Sequence, residues 1–324
     1  MSTGYALSAK IGHPTKRLEN NKKRGAILLS LLMVMLVQST YFSSYTAPEL
    51  TESPTPADLH NGNSYRHLNE SSFEIGLGHT CVVGHDSIGL GDRMKCWGVG
   101  DMGQLGIGNT QDMGDQANEM GHELPFVDTG VALNITKTAL GESHTCALFE
   151  NGSVKCWGET TLIGIGYNDL DGFGDGYLET GETLPYLPVP TGRHVIDIEA
   201  GKRHTCAILD NQDVACWGDN AVGQLGLGNT SFIGDSLDEI GDSFPMVDAT
   251  HSTSTSTPAS MALGWDHTCL LFSNGTVSCW GDNSHGQLGT GSTAAVGDQP
   301  GGMGDSLVQV SLPTGRTAVQ ITAG

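Results

Sequence analysis

Residues 140–158 read Leu-Gly-Glu-Ser-His144-Thr-Cys146-Ala-Leu-Phe-Glu-Asn-Gly152-Ser-Val-Lys-Cys156-Trp157-Gly158, and the chain repeats this stretch four times. The other copies start at Gly76, Ala200 and Leu263, and the His-Thr-Cys triplets begin at His79, His144, His204 and His267. A period of about 60 residues is that of a stacked repeat rather than of one helix or hairpin. Two alternating apolar runs flank Glu150-Asn151-Gly152, which is how a three-residue hairpin loop with a left-handed glycine reads. Counting outward from that loop sets Leu148 opposite Val154 and Cys146 opposite Cys156. The same count centres the last copy on Asn274-Gly275 and puts the left-handed position of the third on Gln212. The first copy has five extra loop residues.

Beyond the tryptophan, three copies continue as a glycine loop: from Gly100 (GDMGQLGIGNT), Asp219 (DNAVGQLGLGNT) and Asp282 (DNSHGQLGTGST). The second copy has ETTLIGIGYND instead. A strand such as Val195–Ala200 precedes each triplet, and β-type material such as Leu184–Val189 follows each loop. Three to four short strands per repeat make a blade-sized unit, whose two faces bury only when neighbours stack.

The apolar strand, Gly-x-x-His-Thr-x-Ala-Leu and Trp-Gly-x-Asn-x-x-Gly-Gln-Leu-Gly together resemble the regulator of chromosome condensation repeat. The resemblance covers residues 73–324. It implies an all-β fold, a β-propeller, with repeats at about 73–133, 134–193, 194–257 and 258–318. The family's rings have seven blades. Residues 319–324 align with Ile196–Gly201 and read as the start of a fifth repeat, so the expectation is an incomplete ring.

Each repeat departs from the family pattern by carrying two cysteines. Cys81/Cys96, Cys146/Cys156, Cys206/Cys216 and Cys269/Cys279 are expected to pair within repeats, since non-hydrogen-bonded strand partners lie within disulfide reach. His-x-Cys followed by Cys also offers soft metal ligands, but a tetrahedral zinc site wants a fourth. The histidine belongs to the family pattern without the cysteines, which points to a structural hydrogen bond.

Acidic glycine-rich inserts follow the loops at Met113, Asp169 and Ile233, with a looser version at Val296. Asp169, Asp171, Asp175, Asp235 and Asp242 are candidate Ca²⁺ ligands, with a solvated acidic rim as the other reading. No EF-hand loop closes here, because Phe173 takes a ligand position and Glu179 falls one residue short. No other cofactor is expected.

The formal net charge is −21. Six of the 15 Lys and Arg fall within residues 1–24, beside one acid, which leaves residues 25–324 at −26. Such a body repels phosphate backbones, so no nucleic-acid partner is expected. Residues 1–24 form a basic segment and 25–45 read as a signal peptide or signal anchor, since Lys22-Lys23-Arg24 precedes the apolar run Ala26–Val37. If uncleaved, this stretch is long enough to anchor in a membrane. Proline-rich 46–72 reads as a linker. No Gly-x-Ser-x-Gly, phosphate loop or His-Glu-x-x-His occurs. The expected function is a non-enzymatic extracytoplasmic scaffold for a protein partner. The alternatives are guanine-nucleotide exchange on a small GTPase, by fold analogy, and secreted enzyme inhibition.

Overall fold

A computed structural model describes residues 72–84, 92–166, 172–176, 178–249 and 255–324. The basic segment, the signal or anchor at 25–45 and all of the linker but Ser72 lie outside these residues. Among the described residues no helix is long and apolar enough to cross a membrane.

Each quoted stretch folds as an antiparallel hairpin. In the second repeat β5 (His144–Phe149) pairs with β6 (Val154–Glu159), setting Leu148 opposite Val154 and Cys146 opposite Cys156. Phe149 N–H donates to Ser153 O at 2.9 Å, and Gly152 turns the chain at φ +78°. Gln212 holds the same left-handed position in the third repeat, at φ +74°. The corresponding hairpins are β2 (His79–Gly84) with β3 (Arg93–Gly98), β9 (His204–Leu209) with β10 (Val214–Gly218), and β12 (His267–Phe272) with β13 (Val277–Gly281).

A preceding strand completes each sheet on one side: β1 (Ser72–Ile75), β4 (Ile135–Leu140), β8 (Val195–Ala200) and β11 (Pro258–Leu263). The sheet orders are β1-β2-β3, β4-β5-β6-β7, β8-β9-β10 and β11-β12-β13, where β7 is Gly172–Phe173. These first strands lie next to one another, β1 by β4, β4 by β8 and β8 by β11, so they form the inner edge of the stacked blades. Lys137 of β4 reaches across that edge to Asp197 and Glu199 of β8, both at 2.6 Å.

The outer, fourth strand is less regular than the sequence led us to expect. Leu184–Val189 contributes one bridge, Lys155 to Tyr186, because Pro185 and Pro188 cannot donate to a ladder. The insert cuts this strand in two. Its first half pairs through Phe173, Ile233 or Val296, and its second through Tyr186, Met246 or Gln309. Those half-strands are thirteen residues apart in every case (173 and 186, 233 and 246, 296 and 309). The Val296 insert, read from sequence as a looser version, therefore keeps the geometry of the others.

The core lies within and between the sheets. Trp157, Trp217 and Trp280 are fully buried, as are nearly all the cysteine side chains. At the far end, Ala318 N–H donates to Gly275 O at 2.9 Å, as Val195 N–H does to Gly152 O. Residues 319–324 follow but are not in a strand. In the other sheets, the strand at this position pairs with the strand that comes after it in sequence.

Candidate interaction surface

The seams between blades account for most of the residues that recur in every repeat. The imidazole Nε2 of His79, His144 and His204 lies 2.7, 2.8 and 2.9 Å from the hydroxyl of Thr145, Thr205 and Thr268, each one repeat further on. The Thr145 and Thr268 hydroxyls donate at 2.9 Å to the carbonyls of Gln104 and Gln224 in the preceding glycine loop. A hydroxyl has one proton, so at these two seams it accepts from Nε2–H, and that fixes the histidine tautomer. The following tryptophan donates to the same loop: Trp157 to Gln104 O, Trp217 to Leu162 O and Trp280 to Gln224 O, at 3.1, 3.1 and 3.0 Å. Gly164, at φ +69°, lets the loop lie flat on the Trp217 indole, where a Cβ would come within 2.8 Å.

Burial pushes His79, His144 and His204 down to about 3. These imidazoles are neutral near pH 7 and hold structure rather than move protons. The metal reading of His-x-Cys also finds no support in the geometry. The sulfurs bond to each other in Cys81–Cys96, Cys146–Cys156, Cys206–Cys216 and Cys269–Cys279, all with Cα atoms 4.1 Å apart.

The inserts use their carboxylates internally. Glu119 accepts from Gly114 N–H at 2.8 Å, and Glu179 and Glu239 accept from Gly176 and Gly234 at 3.1 Å. Burial, then the neighbouring Asp175 or Asp235, pushes Glu179 and Glu239 up from the usual range. Asp242 accepts the N–H and hydroxyl of Thr191. Asp175, Asp235 and Asp242 thus sit apart, while Asp169 and Asp171 lie outside the described residues. Among the described residues no three ligating side chains gather around one point. Sequence reading overlooked the capping glutamates, although a Glu six residues after the apolar residue of the first half-strand (Met113, Phe173, Ile233) recurs in three copies.

The turns between first and second strands are tied in a row. Leu77 N–H donates to Gly141 O, Glu142 N–H to Lys202 O and Lys202 N–H to Trp265 O, at 3.3, 2.8 and 3.1 Å. The residues after each Trp-Gly join the same face, since Glu159, Asp219 and Asp282 donate to the carbonyls of Ser143, Arg203 and Asp266. This face carries Glu142, Glu159, Asp219, Asp266 and Asp282 against Lys202 and Arg203. Arg203 spends its charge on a two-pronged pair with Glu159, at 2.9 and 2.6 Å. Burial pushes Asp266 up, and the nearby carboxylates add to it. Trp265 stands out of the surface, 52% exposed, with the Lys202 ammonium 4.8 Å from its ring centroid. The other members of its alignment column are Leu77, Glu142 and Lys202, and the two charged ones signal a surface position that the sequence reading passed over.

Stacked antiparallel sheets joined by repeating seams define a β-propeller repeat protein. The chain carries repeats of the family described as the regulator of chromosome condensation (RCC1) repeat. Its pattern matches residues 135–161, 195–224, 259–287 and 274–324. The ultraviolet-B receptor UVR8 of Arabidopsis thaliana is 28% identical over 220 residues, which cover 68% of this chain and 43% of the receptor. The guanine nucleotide exchange factor SRM1 of Saccharomyces cerevisiae is 28% identical over 220 residues, covering 60% and 42%. Among solved structures, human WBSCR16 superposes with a TM-score of 0.55 at 16% identity, covering 79% of this chain and 58% of that one. Prp20p of Saccharomyces cerevisiae gives 0.52 at 20%, covering 78% and 52%. The chain spans about half the length of these relatives, and the structural likeness at such identity speaks for the fold alone.

Proposed function

We propose that this chain is a non-enzymatic binding scaffold of the extracytoplasmic space, and that it meets a protein partner through the face around Trp265. The observation that carries this reading is an exposed tryptophan held over a lysine among carboxylates. Exposed aromatics of this kind anchor interfaces, and the surrounding charge favours a cationic partner surface. Four disulfides favour an oxidising compartment, and residues 25–45 would deliver the chain there.

Exchange activity on a small GTPase is the second reading, favoured by the similarity to SRM1; Prp20p, for its part, is described as binding Gsp1p and histones. Disulfide pairing argues against a cytosolic encounter of that kind.

Cross-linking in the native envelope fraction tests the proposal with Trp265→Ala and, as a rim control, Leu237→Ala. A partner lost from the first variant and kept by the second supports the scaffold reading. Equal capture by both removes this face from the function. Accelerated nucleotide release from a GTPase would favour the second reading.

A further inference from the structure

Asn-x-Ser/Thr is the acceptor pattern for N-linked sugar, and it occurs among the described residues at Asn134, Asn151, Asn229 and Asn274. A further copy, at Asn69, lies outside them. The fold separates the four. Asn151 and Asn274 are the exposed middle residues of the three-residue hairpin loops in the second and fourth blades. Asn151 Oδ1 accepts the hydroxyl and N–H of Ser153 at 2.7 and 3.0 Å, and Asn274 Oδ1 accepts those of Thr276 at 2.8 and 3.0 Å. Each amide is held by its oxygen, and among the described residues its Nδ2 has no partner. The chain that follows braces both loops, since Val195 N–H donates to Gly152 O and Ala318 N–H to Gly275 O, at 2.9 Å.

The other two asparagines spend the amide nitrogen on the protein. Asn134 is half-buried, and its Nδ2 donates to Glu150 Oε2 at 2.8 Å. Asn229 is tied into its glycine loop, with Nδ2 donating to Leu227 O at 3.2 Å and Oδ1 accepting Ser231 N–H at 2.8 Å. The third blade shows what a tip without a hydroxyl does. It reads Asn211-Gln212-Asp213, and the Asp213 carboxylate takes the Asn211 Nδ2 at 2.6 Å.

We propose that Asn151 and Asn274, and not Asn134 or Asn229, carry an oligosaccharide transferred from a lipid-linked diphosphate donor; this rests on the export of the chain proposed above. Nδ2 attacks the anomeric carbon of the donor, and the C–N bond forms as the C–O bond to the diphosphate breaks. The electron pair of that bond leaves with the lipid diphosphate, which also receives the proton that Nδ2 gives up. A free, exposed amide can make this bond without giving up a contact of the fold. Position adds a second argument. β5 and β12 start just after the turns of Glu142 and Trp265 and end at these tips, so six residues of strand, about 20 Å, separate the sugars from the Trp265 face. Bulky, solubilising sugar there leaves the partner surface clear.

The test is a glycopeptide map of the chain recovered from the envelope fraction of its source cells. Sugar mass should fall on Asn151 and Asn274 and be missing from Asn134 and Asn229. Ser153→Ala and Thr276→Ala should each lose one of the two sugars, and Asp213→Ser should gain one at Asn211. If a variant does not fold, the wild-type map decides. Bare Asn151 and Asn274 on an envelope chain with its disulfides formed overturn the proposal and leave export standing. Sugar as complete on Asn134 and Asn229 as on the tips overturns it too, since the fold then makes no selection. A chain found only in the cytosol with reduced thiols overturns both the sugars and export.

Discussion

Acid should unfold this protein through its buried histidines. His79, His144 and His204 are fully buried at the seams, each with its Nε2 on a threonine of the next blade. Their folded values lie near 3, against roughly 6.5 in the unfolded chain. A depressed histidine leaves the folded state with fewer protons than the unfolded one. Its contribution is therefore complete above about pH 6.5 and drains away as pH falls toward 3. At pH 5 the linkage comes to about 2 kcal/mol for each imidazole, or about 6 kcal/mol for three. That is a large part of the roughly 5–15 kcal/mol that a folded domain commands. Glu74 and Glu199, pushed up by burial, act in the opposite sense and gain as pH falls through their folded values. A comparison of variants cancels them. Urea midpoints of the wild type and of His204→Gln, measured at pH 7 and pH 5, should show that the substitution removes about a third of the histidine-linked loss. The same pH sensitivity in both proteins would refute the reasoning.

Thr268→Val keeps the shape of the strand but strips His204 Nε2–H of its acceptor, while Gln224 O retains Trp280. We expect a loss of about 1–3 kcal/mol at unchanged denaturant slope, and a change below about 0.5 kcal/mol would contradict the seam. Replacing Cys206 and Cys216 together by alanine should cost about 2.5 kcal/mol from the loop of ten residues that they close. Peptide mapping of the unreduced wild type should return Cys206–Cys216, and a cross-repeat linkage would contradict the hairpin register.

The hairpins were legible because everything that sets them is local. Loop chemistry at Gly152 and Gly275 fixes the turn, the turn fixes the register, and the register brings the cysteines together. The seams were not legible, although their residues are the most repetitive in the chain. His144 and Thr145 are sequence neighbours, yet one points to Thr205 of the next blade and the other meets His79 of the previous one. A period of about 60 residues shows that both recur without showing that each is half of a different contact. The inserts were open to two readings for another reason. A run of carboxylates reads alike whether it gathers around an ion or caps its own backbone, and Glu119, Glu179 and Glu239 do the second. The surface position of Trp265 was legible in its alignment column, where Glu142 and Lys202 carry charge, but a tryptophan there reads as core on composition alone.

The split contact of His and Thr has a bearing on how such a chain can grow or shrink by recombination. Every repeat carries both complementary halves, a histidine and glycine loop facing forward, a threonine and tryptophan facing back. A crossover between equivalent positions of two repeats, wherever it falls within the period, restores one of each and leaves the remaining joints matched. A crossover out of phase by even one residue puts a histidine against the wrong side chain. It also flips the alternation of the strand behind it. Whole-unit duplication and deletion are thus the length changes this architecture tolerates.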